Sequence, residues 1–208
     1  MLFDWLVLAN NNAPRTRRRQ AKHQFARRRL EVQALEERRL LATWIGGATG
    51  DWNLAANWDT ANVPDGDVPG ESAVFSSTAA VNFNISTAFA NPIALQFDAG
   101  SGVSIAPTLP TNTLTLSSLN NNSGTNVVSA AIAGSGAVVN VASGALTLSG
   151  SNTYSGTTTA SGGVLSLVAT PASNPLGTSE LVMNGGTAEF NSAATSVMGR
   201  FVQVINNG

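Results

Sequence analysis

The chain has 208 residues, 43% hydrophobic and 11% charged, with a formal net charge of −1. So low a charge, set against the ~25% of an ordinary soluble domain, argues against a disordered polyelectrolyte, and the many Val, Ile and Thr favour strands and turns. Cysteine is absent, which excludes a disulfide framework, thiolate-ligated zinc and a thiol nucleophile. No run approaches ~18 consecutive apolar residues, so no transmembrane helix is expected.

The net charge conceals a division. Residues 1–42 hold ten of the eleven Lys and Arg and carry +6, whereas residues 43–208 hold eight acids and one base, Arg200, and carry −7. Three segments follow: a basic leader at 1–42, a tryptophan-rich segment at 43–75 and strand repeats at 76–208.

The leader opens on an apolar run, Leu2 to Ala9, broken by Asp4. A secretory signal places its basic region before an unbroken apolar one, and here that order is reversed. From Lys22 to Leu41 there is no Gly or Pro, and Leu30, Leu35 and Leu41 recur at roughly helical spacing. That pattern predicts a short helical or disordered basic stretch. Clustered arginines suffice for phosphate contact, but no aromatic platform, zinc spacing or helix-turn-helix pattern accompanies them. Nucleic acid is therefore not expected as a partner, and the one histidine, His23, reads as a solvated side chain. The stretch RRRLEVQALEERRLLA, Arg27 to Ala42, resembles the N-terminal motif of a family of large exported bacterial proteins. Its distinctive part is LEERRLLA, Leu35 to Ala42. The resemblance implies an export or sorting leader, with structure beginning just after it.

Residues 43–75 hold three of the four tryptophans, Trp44, Trp52 and Trp58, among Gly, Pro and Asp turn residues. Two readings apply. Exposed indoles stack on sugars, which would make this a carbohydrate-binding module; buried indoles seal one end of a core. The second is favoured, because a repeat array needs a capping unit. Asp51, Asp59, Asp65, Asp67 and Glu71 crowd the same segment. They lack the EF-hand spacing and the glycine-rich calcium nonapeptide, so they read as solvated acidic loops, and no metal or cofactor is expected.

Beyond residue 76 short alternating segments recur: VVNVASG from Val138, GVLSLVA from Gly163, ELVMNGG from Glu180, TAEF from Thr187 and FVQVINNG from Phe201. Turn signals rich in Asn, Ser and Gly separate them. LTLSSLNNNSG from Leu114 and LTLSGSNTYSG from Leu146 agree at seven of eleven positions, 32 residues apart. Short strands without helices admit a sandwich, a barrel or a solenoid. The internal repeat favours the solenoid: one coil cannot cover its own apolar side, but stacked coils satisfy each other's backbone groups.

The stretch from Gly144 to Phe190 is similar to the autotransporter-associated β-strand repeat. The match is carried by Leu146, Leu148, Gly150, Asn152, Tyr154, Gly156 and Thr158, then by Gly163 and Leu165, by Pro175, Leu176 and Gly177, and by Asn184, Gly185 and Gly186. The tryptophan segment resembles the unit that precedes such repeats, through Trp44, Gly46, Trp52, Asn57, Trp58, Pro64 and Phe75. The resemblance implies an all-β, right-handed parallel β-helix, exposed at a bacterial surface or secreted, with no catalytic residues. An autotransporter would continue into a membrane barrel. The chain stops at Gly208, partway through an apparent repeat, so it reads as a fragment whose open last strand is a site for end-to-end self-association.

Enzyme chemistry has little to work with. Past residue 42 there is no His or Lys and one Arg, so a Ser nucleophile lacks a base. Glycoside hydrolysis needs paired carboxylates, and outside the tryptophan segment only Asp98, Glu180 and Glu189 remain. The expected function is an exported, non-catalytic stalk or adhesion surface, with extracellular polysaccharide or other surface proteins as partners. The alternatives are the carbohydrate-binding module using Trp44, Trp52 or Trp58, and a polysaccharide-active β-helix enzyme.

Overall fold

The computed structural model describes residues 41–76, 81–89, 91–98, 102–171, 173–192 and 202–204. All described residues belong to one unit, Glu36–Gly208. The expected leader and its helix lie outside the described residues, apart from Leu41 and Ala42.

The described residues form sixteen strands and a single 3-10 turn at Ala55–Asn57. In chain order the first eight are β1 (Leu41–Thr43), β2 (Thr49–Asp51), β3 (Ser72–Phe75), β4 (Val81–Ile85), β5 (Ile93–Phe97), β6 (Val103–Pro107), β7 (Thr113–Asn121) and β8 (Thr125–Val128). The rest are β9 (Ala131–Ala133), β10 (Val138–Val141), β11 (Ala145–Leu148), β12 (Thr157–Ala160), β13 (Val164–Ala169), β14 (Glu180–Met183), β15 (Thr187–Ser192) and β16 (Val202–Val204). They make two sheets. The larger runs β1-β3-β5-β7-β10-β12-β14-β16, with β9 paired to the start of β7, and the smaller runs β2-β4-β6-β8-β11-β13-β15. Every ladder pair within them is parallel. The chain therefore alternates between the sheets as it climbs, one strand of each per rung. This is a parallel β-solenoid, as expected.

Period-2 patterning explains which residues face in. In β13, Leu165, Leu167 and Ala169 are buried while Val164, Ser166 and Val168 are half-buried outside; β11 does the same with Leu146 and Leu148. Their inward rows join Ile93, Leu95, Ile105, Leu119, Val128, Val139 and Leu181 in one core. Between each small-sheet strand and the next large-sheet strand the chain crosses a third side. Its backbone is bonded rung to rung there too: Phe89 N–H to Thr113 O at 3.0 Å, Thr153 N–H to Ile132 O at 2.8 Å and Asn152 N–H to Asn174 O at 2.9 Å. The opposite corner is a glycine stack, where Ala145 donates to Gly124 O, Val164 to Gly144 O and Thr187 to Gly163 O at 2.7–2.8 Å. The sheets bury their faces against each other, and the corners carry their own hydrogen bonds.

The rung length differs from the sequence repeat. Val139 lies beside Thr158, 19 residues on, and Ala94 beside Ser118, 24 residues on. The first rung is longer, with Ala42 beside Ala73 and Thr49 beside Asn82. Leu114 pairs with Ile132, whereas Leu146 pairs with Asn126 and Leu165. The 32-residue match thus lays a segment of one sheet over a segment of the other and is not a coil step. The physical reason is that both sheets use the same inward Leu and outward Thr or Ser, so their sequences resemble each other without being stacked.

Candidate functional site

The longest rung carries the tryptophans. After β1 the chain makes an isolated antiparallel bridge between Trp44 and Trp58. Asp59 Oδ1 accepts the Thr43 N–H at 2.8 Å, and Asp59 N–H returns a bond to Thr43 O at 3.1 Å. The indoles are linked through their polar edges. Trp58 Nε1–H donates to Trp52 O at 2.8 Å, and Trp52 Nε1–H donates to Pro64 O at 3.0 Å. Their rings meet edge to face, Trp44 on Trp58 at 5.3 Å and Trp52 on Trp58 at 4.9 Å between centroids. Phe75 lies under all three, and Phe89 and Phe97 extend the cluster into the next rung. Gly46 is required by the Trp44 ring, since a Cβ there would sit 2.5 Å from it.

Trp44, Trp52 and Trp58 are exposed by only 4, 0 and 1%. All three indoles belong to the buried core. The residues Trp44, Gly46, Trp52, Asn57, Trp58, Pro64 and Phe75 that carry the sequence resemblance gather around this cluster. Asn57 Nδ2–H donates to Asp51 O at 2.8 Å, while its backbone carbonyl accepts from Ile45 and Gly46.

The acids separate into two groups. Asp51 Oδ1 accepts the Asn53 N–H and the Ser86 hydroxyl, and Asp59 braces β1, so both are engaged in turns. Asp65, Asp67 and Glu71 come together, each with a carboxylate oxygen within 4.8 Å of the others. This is a hard-oxygen set of the kind a divalent cation takes. Glu71 is buried, and both of its oxygens are already used: one accepts the Gly66 N–H at 2.7 Å and the other the Asn62 amide at 3.1 Å. Burial pushes its carboxyl above the usual range, the charges of Asp67 and Asp65 add to the shift, and the Gly66 bond opposes it. Beside them Asn53, Asp65, Asp67, Thr87, Ala88 and Asn91 line an open groove of about 180 Å³. Asn53 Oδ1 accepts from Ser86 and Thr87 and so ties the tryptophan loop to the next rung.

The other acids are dispersed. Asp98 holds Gln96 and Asn122, Glu180 begins β14 in the larger sheet, and Glu189 lies in β15 of the smaller. Glu180 and Glu189 are close in the chain but belong to different sheets. His23 lies outside the described residues.

Sequence reasoning did not identify what Asn152, Tyr154, Gly156 and Thr158 do. Asn152 joins three rungs: its Oδ1 accepts the Ile132 N–H at 2.8 Å and its Nδ2–H donates to Pro175 O at 2.6 Å. Tyr154 is fully buried, and its hydroxyl, the Thr158 hydroxyl and the Ser179 hydroxyl form a chain at 2.8 and 2.6 Å. Burial raises the Tyr154 phenol to about 12. Gly156 passes so close to the rung before it that a Cβ would lie 1.9 Å from Ala137 O. Asn121 and Asn126 make a similar bond inside the corner, Asn126 donating to Asn121 at 2.7 Å and Asn121 donating to Ser143 O at 2.6 Å. Among the described residues no buried side-chain nitrogen or oxygen lacks a partner, which is what a repeat interior with polar fasteners requires.

No protein-family model matches the chain, and no curated protein or solved structure matches it.

Proposed function

We propose that the chain is an exported bacterial surface protein whose solenoid serves as a non-catalytic stalk or adhesion surface. One observation carries this reading. From β4 to β15 the rungs repeat one design, in which apolar rows face inward and the hydrogen-bonding side chains join one rung to the next. Such a design builds length at about 4.8 Å per rung. Its outward positions on the strands are mostly small or uncharged, such as Ser104, Thr147, Ser166, Asn120, Asn140 and Thr159. That surface suits broad, low-specificity contact with polysaccharide or with other surface proteins. The LEERRLLA resemblance supports export.

The leader is tested by deleting residues 1–40, sparing Leu41 and Ala42 because they pair with Ser72 and Ala73. The shortened chain, expressed in a bacterial host that displays the full chain, should fold with the same strand-rich circular dichroism yet stay inside the cell. Undiminished surface labelling of the shortened chain would remove the export reading. Retention of full-chain-coated beads on polysaccharide or on intact cells, against beads coated with an unrelated β-protein, tests adhesion; equal retention would remove that part.

A further inference from the structure

Asn184 and Gly185 form the only Asn-Gly pair among the described residues. They make the corner between β14 and β15, and both are exposed. Among the described residues, neither the Asn184 side-chain amide nor the Gly185 N–H has a hydrogen-bond partner. Gly185 has φ +94°, a left-handed conformation in which it carries no side chain to shield its nitrogen. Asparagines at an earlier corner differ in the residue that follows and in the bonding of their amides. Asn121 and Asn122 are followed by Asn and Ser, and their amides are bonded to Ser143 O and Asp98.

We propose that Asn184–Gly185 is a self-modification site that converts, with water as the only co-reactant, to aspartyl and isoaspartyl forms. The Gly185 amide nitrogen attacks Asn184 Cγ. The N–Cγ bond forms, the Cγ–Nδ2 bond breaks, and the amide proton leaves with the nitrogen as ammonia. Water then opens the five-membered imide at either carbonyl. Opening at Cγ restores the normal backbone with an aspartate, and opening at the α-carbonyl routes the main chain through Cγ as isoaspartate.

The surrounding bonds make the two products differ. Asn184 N–H and Gly186 N–H both donate to one acceptor, Ala160 O, at 2.8 and 3.1 Å, and Thr187 N–H donates to Gly163 O at 2.8 Å. Isoaspartate adds a methylene to the main chain between the two donors that share Ala160 O. Both cannot then keep their distances, and the start of β15 is released from β13. The aspartyl product adds only a charge to a corner that has none. The site is therefore a slow, one-way loosening device for one rung.

The test uses the full chain, aged at neutral and mildly alkaline pH and followed by peptide mapping, with hydrogen exchange of Thr187–Ser192 measured in parallel. A second Asn-Gly pair, at 207–208, lies outside the described residues and is resolved as a separate peptide. The expected result is conversion at residue 184 that accelerates with pH and gives more isoaspartate than aspartate. Exchange protection of β15 should fall in step. Asn184→Gln should abolish both changes, and Asn184→Asp should keep β15 protected. Asn184 intact in the folded chain, over a time in which the urea-unfolded chain converts, would overturn the site. Conversion with β15 protection unchanged would overturn its consequence.

Discussion

The first rung and the rungs above it solve the same problem with different materials. Around β1 to β3 the interior is filled by Trp44, Trp52, Trp58 and Phe75, whose rings meet edge to face and whose indole nitrogens are bonded to backbone carbonyls. From β6 onward the described core is aliphatic apart from Tyr154, and rungs are fastened by buried amides and hydroxyls: Asn121 with Asn126, Asn152, and Tyr154 with Thr158 and Ser179. A rung from β8 to β13 lies between copies of itself, so it can be thin and turn on glycine, whereas around β1 to β3 bulky rings and a long loop fill the interior.

This contrast can be broken at several points. Trp52→Ala should have the largest effect, because its fully buried ring touches Trp58, Phe75 and Phe89. A loss of about 3–5 kcal/mol in urea unfolding is expected; a loss within error would show that the rings do not hold the first rung. Gly156→Ala drives a methyl into Ala137 O and should lower stability by roughly 1–3 kcal/mol. Gly136→Ala has nothing within 4 Å of its Cβ and is strained only by its φ of +80°, so it separates backbone strain from collision.

Tyr154→Phe removes a hydroxyl from a buried chain and should cost about 1 kcal/mol at neutral pH. It also changes the alkaline limb. The folded phenol is raised from 10.0 to about 12, so its contribution is complete below pH 10 and is lost as pH climbs toward 12. The wild type should weaken in that window, visibly by pH-dependent unfolding midpoints, and the variant should weaken less. Glu71→Gln should have the smallest effect. Its raised carboxyl contributes stability below the ordinary value of 4.5 that is lost as pH rises through its folded value. The variant should be as stable as the wild type or slightly more so at neutral pH, with a flatter profile above pH 4.5; a large destabilisation would mean that the bonds to Gly66 and Asn62 need the charge.

The fold was legible because strand alternation survives in short pieces such as VVNV and VLSL, and turn segments rich in Asn, Ser and Gly punctuate the chain. The coil step was not, because Leu114 and Leu146 do equivalent inward jobs in different sheets. Similar chemistry made them alike, and only the backbone ladder reveals which residues are stacked. The burial of Trp44, Trp52 and Trp58 could be argued from their size and clustering. The approach of Asp65, Asp67 and Glu71 could be suspected from their closeness in the chain. Asn152 and Tyr154 are another case. Their partners Ile132, Pro175 and Ser179 lie on other rungs, and nothing local in the sequence names them.

The all-parallel stacking has a kinetic side. Each strand's template is the strand about twenty residues earlier, as Val139 is for Thr158, so order can spread along the chain by a succession of short loop closures. In a chain that emerges N-terminus first, the aromatic rung would be complete before the rungs from β4 onward, and each later segment would meet a finished edge that it fits.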